Sequence, residues 1–90
     1  MTLPEHNFIL YGKQYRMRES VGYEDAKLAA TVPDTAELWI RRLSKSILEP
    51  SMGVEDVKLL PNKTFAALIE KWVEYNEPKP EDFLELPTPT

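Results

Sequence analysis

The side chains that most often do chemistry are scarce in this sequence, which has one histidine, His6, and no cysteine. Without cysteine there is no disulfide, no thiolate metal site and no thiol nucleophile. General acid–base catalysis most often uses histidine, and His6 falls in an N-terminal segment, residues 1–6, expected to be flexible. A Ser-His-Asp arrangement would have to recruit that same side chain. Gly12, Gly22 and Gly53 are scattered and form neither a dinucleotide fingerprint nor a phosphate loop. Adjacent acids occur at Glu24-Asp25, Glu55-Asp56 and Glu81-Asp82, at no calcium-loop spacing. The first two pairs are better explained as acids that complement the dipole at a helix start. The chain therefore reads as non-enzymatic, with no catalytic residue, metal or cofactor expected.

Two feature sets are left to carry binding. Arg41, Arg42 and Lys45, with Arg16 and Arg18 upstream, form the candidate nucleic-acid surface. The net charge is −4, and residues 1–69 balance nine acids with nine bases, so the excess lies in residues 70–90, with six acids against two lysines. Phosphate binding needs a positive field, and nucleic acid is accordingly a disfavoured partner. The simpler account of the cluster is the solvated face of an amphipathic helix. The second set is apolar: Trp39 and Trp72, either as core anchors or as hot spots for a partner protein.

These residues need elements to hold them. Phe8-Ile9-Leu10-Tyr11 and Gln14-Tyr15-Arg16-Met17-Arg18 flank Gly12, and the alternation predicts a hairpin over 8–18 with Tyr15 and Met17 on one face. A lone hairpin is marginal in water, so that face must rest on helices or on another chain. A short helix is expected over about 23–30, ended by Pro33. The clearest helix runs over 35–48, with Asp34 and Glu37 as a capping box and Ala36, Trp39, Ile40, Leu43 and Ile47 on one stripe. A turn of helix follows at 54–59. Asn62 is placed to cap a last helix over 63–75, whose stripe is Phe65, Leu68, Ile69, Trp72 and Val73.

The predicted fold is α+β and predominantly helical: an N-terminal β-hairpin, three to four helices, and a disordered acidic, proline-rich tail. Residues 7–77 form one small globular domain in this reading and 78–90 the tail, with Phe83, Leu84 and Leu86 as a short docking segment. No apolar run is long enough to span a bilayer and the N-terminus lacks signal-peptide features, so a soluble, cytoplasmic protein without a membrane partner is expected. Two wide apolar stripes and an apolar hairpin face offer more surface than so small a chain covers alone, which predicts partner binding or a homo-oligomer.

The run Tyr11-Gly12-Lys13-Gln14-Tyr15-Arg16-Met17-Arg18-Glu19 reads Gly-Lys-x-Tyr-x-x-Arg across the strand pair. It is followed by Leu48-Glu49-Pro50, Val54-Glu55-Asp56-Val57, Leu60-Pro61, Phe65, Leu68-Ile69 and Asn76, so the pattern spans about residues 8–77. This order of features resembles the small tail assembly chaperones of long-tailed bacteriophages. The two tryptophans and the proline-threonine end have no counterpart in that pattern. The resemblance implies a chaperone that coats the apolar, helical tape measure protein in the host cytoplasm and recruits tail tube protein, leaving before the particle is finished. It supplies no catalytic residues. The candidate protein-binding residues follow from the apolar stripes: Trp39, Leu43, Ile47, Phe65, Ile69 and Trp72. Two alternatives stay open: a structural head–tail or tail completion subunit, and a small regulatory nucleic-acid-binding domain.

Overall fold

The computed structural model describes residues 2–78. Two strands, β1 (Glu5–Leu10) and β2 (Lys13–Arg18), pair antiparallel from Glu5↔Arg18 to Leu10↔Lys13. The two residues between them, Tyr11 and Gly12, both have positive φ, 50° and 78°. That is the backbone of a two-residue primed turn, whose twist matches the strands it joins. Opposed residues share a face, so His6, Phe8, Leu10, Tyr15 and Met17 look inward while Asn7, Ile9, Gln14 and Arg16 look outward. Tyr15 and Met17 are buried, as the alternation requires.

Among the described residues four helices follow the hairpin: α1 (Gly22–Thr31), α2 (Thr35–Ser46), α3 (Val54–Lys58) and α4 (Asn62–Asn76). The α+β, predominantly helical architecture expected from the sequence is the one observed. The core is one cluster: Tyr15 and Met17 from the sheet, Leu43 and Ile47 from the middle of the chain, and Val57, Leu68 and Trp72 from the last two helices. The hairpin face thus rests on helices of its own chain.

Several boundaries differ from the sequence expectation. The hairpin begins at Glu5 rather than Phe8, so two residues assigned to a flexible N-terminus belong to β1; the Glu19 amide also donates to the Pro4 carbonyl at 2.9 Å. The helix expected to reach Leu48 stops at Ser46, and Ile47–Glu49 form a third strand, β3, antiparallel to β2. Glu49, directly before Pro50, is restricted to extended backbone, and its pairing with Arg16 is continued by the pairing of Ile47 with Met17. Ile47 still delivers its side chain to the core, which is why helical spacing and strand are indistinguishable there. The capping box is half formed: Asp34 accepts from the Glu37 amide at 2.9 Å, but the Glu37 carboxylate turns to Arg41 at 3.2 Å. Asn62 does not cap α4; it is the first helical residue, after Pro61, and no side chain caps that end. The predicted acidic tail, apart from Pro78, lies outside the described residues.

Candidate protein-docking groove

The six residues nominated for partner binding separate into two groups. Leu43, Ile47 and Trp72 are buried in the core, while Trp39, Phe65 and Ile69 are half-buried and pack around it. Trp39 and Trp72 meet edge-to-face with ring centroids 5.2 Å apart, a geometry that suits the aromatic quadrupole. The indole N–H of Trp72 donates to Ser46 Oγ at 3.0 Å. The tryptophan pair is therefore part of the packed interior.

Arg42 binds that pair to α1. Its guanidinium lies 4.8 Å from both indole centroids, and its Nε and Nη2 each donate to an Asp25 carboxylate oxygen at 2.9 Å. Such a two-pronged, charge-assisted contact is stronger than a point contact. A residue that the sequence places with the basic cluster is thus committed to structure. Arg41 pairs with Glu37 at 3.2 Å, and Arg16 with Glu49 at 3.0 Å and Glu5 at 3.5 Å. Arg18 and Lys45 join no ion pair among the described residues.

His6 also sits differently from its sequence expectation. Its ring stacks on Tyr75 with centroids 4.0 Å apart and 4° between planes, and its Nε2 lies 2.8 Å from a Glu19 carboxylate oxygen. It ties β1 to the end of α4. Burial raises the Tyr75 phenol pKa above its ordinary value, with Lys71 opposing and Glu74 adding to the rise. Among the described residues no group of three histidines, cysteines or acids is placed to hold a metal ion.

A concave apolar surface lies at the other end of the stripes. A groove of about 250 Å³ opens between α2, α3 and α4, lined by Ala36, Ile40, Val57, Leu60 and Phe65, with Lys58 and Asn62 at its polar rim. Leu59, beside it in sequence, is 83% exposed. Of the six nominated residues Phe65 reaches this groove. Ala36 and Ile40 lie on the predicted stripe of α2 but outside the six; Leu59 falls within the helix expected over 54–59, but α3 ends at Lys58, so Leu59 and Leu60 sit in the connection before Pro61. The signal that could have found them is two consecutive leucines in a loop, where apolar side chains lack a core to enter.

Comparison with known protein families, with characterised proteins and with solved structures finds no match to this chain. No helix among the described residues is long and apolar enough to cross a membrane.

Proposed function

We propose that this chain is a non-enzymatic assembly chaperone whose α2–α3–α4 groove takes an apolar helical segment of a phage tape measure protein in the host cytoplasm. The observation that carries the reading is the apolar lining of the groove by Ile40, Leu60 and Phe65, with the exposed Leu59 next to Leu60 in sequence. Helix-in-groove recognition uses such a site: an apolar wall for residues one helical turn apart, and a polar rim that fixes orientation. The resemblance of residues 8–77 to tail assembly chaperones supplies the client, and recruitment of tail tube protein follows from the same source. The scarcity of catalytic side chains in the sequence fits a protein that acts by binding.

The test is recovery of the client. Tagged chain is drawn from cells producing phage, and co-purifying proteins are identified by mass. A long tape-measure chain is expected with the native protein. Two substitutions at exposed positions, Leu59→Asp and Ala36→Glu, are expected to reduce its recovery roughly tenfold, since losing one apolar anchor costs about 1–2 kcal/mol. Undiminished recovery with both substitutions would move the site elsewhere, and absence of any tape-measure chain would end the reading.

A further inference from the structure

A second surface runs along α1. Ser20, Val21, Leu28 and Lys45 line its head together with Arg18, and Tyr23, Lys27 and Thr31 continue it along the helix. The two stretches share Glu24, Leu28 and Lys45, so they form one trough. Three features set it apart. Helix α1 contains no buried residue, and Tyr23 at its start is 75% exposed. Arg18, Lys27 and Lys45 all border the trough, and none of them joins an ion pair among the described residues. Glu24 is the one acid of the trough not engaged by Arg42, which leaves the trough cationic.

The end of α4 lies beside the head of this trough, because the Ser20 amide donates to Asn76 Oδ1 at 2.8 Å. Beyond it the chain continues as Glu81-Asp82-Phe83-Leu84-Glu85-Leu86, three acids interleaved with three apolar residues. From Pro78 an extended chain reaches Phe83 in about 17 Å, and a ten-residue helix such as α1 is about 15 Å long. We propose that the α1 trough is the docking site of the chain's own segment 81–86, with the acids set against Arg18, Lys27 and Lys45 and the apolar side chains laid on Tyr23 and Leu28. A short tether holds the segment at an effective concentration on the order of millimolar, so contacts too weak to hold a free peptide suffice in cis.

The absence of cysteine allows a clean test on the full chain. A nitroxide is attached at Thr88→Cys, and its broadening of backbone amide signals is mapped by NMR. Docking predicts broadening along Tyr23–Thr31 and at Lys45, lost in 1 M salt, where the screening length falls to about 3 Å. It also predicts loss of that pattern in the charge-reversed variant Lys27→Glu with Lys45→Glu. Broadening confined to His6, Glu19 and Tyr75 around the tether, and indifferent to both changes, would overturn the proposal. So would broadening centred on Ile40 and Phe65, which would place the segment in the other groove. A mixture of labelled and isotope-enriched chains separates the last case: broadening that passes between molecules would make the occupant a second copy and refute docking in cis.

Discussion

Trp72 donates its indole N–H to the hydroxyl of Ser46 in the interior, two groups that the chain separates by 26 residues. Ser46 is 2% exposed, and its other close polar neighbour is the Ser20 hydroxyl at 3.3 Å. Replacing Ser46 with alanine removes the acceptor and strands a buried donor, at a cost of about 1–3 kcal/mol. The same change in a Trp72→Phe background strands no indole N–H and removes only the contact with the part-buried Ser20 hydroxyl, so it is expected to cost under about 1 kcal/mol. Urea unfolding of the four proteins in this cycle measures the coupling, and equal costs in both backgrounds would refute the bond's role.

The Asp25–Arg42 contact predicts how α1 is held. With no buried residue of its own, α1 depends on this two-pronged bond and on the half-buried Leu28 and Ala29. Both side chains are largely shielded, at 16% and 20% exposure, so solvent screens the pair less than it would at the surface. Asp25→Ala is expected to destabilise the protein by about 1–3 kcal/mol, since it leaves a shielded guanidinium without its partner. The loss should be local first: hydrogen exchange in Lys27–Thr31 accelerates while α4 amides near Leu68 keep their protection. Uniform acceleration would mean that α1 unfolds only with the whole domain.

What the sequence made legible was the part governed by local pattern. Tyr15 and Met17 alternate with polar residues, and their inward face followed directly; Leu43, Leu68 and Trp72 followed from helical spacing in the same way. Strand β3 was hidden because Ile47 satisfies the stripe of α2 as well as the pairing with Met17, and only the partner strand decides between them. Position in the chain alone puts His6 in a flexible end, because its stacking partner, Tyr75, lies 69 residues further along the sequence. Helical position makes Arg42 a surface charge and does not reveal Asp25 on another helix or the two indoles beside its guanidinium. Each of these depends on a contact distant in sequence, which periodicity does not encode.

Tyr11 occupies the left-handed region at φ 50°, where a bulky side chain is disfavoured and asparagine is favoured in this turn type. The strain of the left-handed region for an L-residue is about 1–2 kcal/mol. Part of it is offset by Lys63, whose Nζ lies 4.7 Å from the Tyr11 ring centroid, in a contact of about 0.5–1 kcal/mol at exposed sites. Tyr11→Asn is therefore expected to raise stability by about 0.5–1 kcal/mol. Lys63→Ala should weaken the native protein slightly and leave the Tyr11→Asn variant unchanged. A destabilised Tyr11→Asn protein would show that the ring contributes more than the turn loses.

The raised pKa of Tyr75 makes stability fall with pH in the alkaline range. The phenol ionises at a higher pH in the folded chain than in the unfolded one, chiefly because burial disfavours the phenolate. Between those two values the unfolded chain has released a proton that the folded chain retains, so the slope of stability with pH is negative there. The contribution is fully present below the ordinary tyrosine value near 10 and is lost as pH rises through the folded pKa. Urea midpoints taken from neutral pH upward should fall across that window, and Tyr75→Phe should flatten that part of the fall. The variant keeps the ring that stacks on His6, so its stability at neutral pH should stay close to that of the native chain. A fall of the same size in both proteins would assign the alkaline fall to other groups and leave Tyr75 without a part in it.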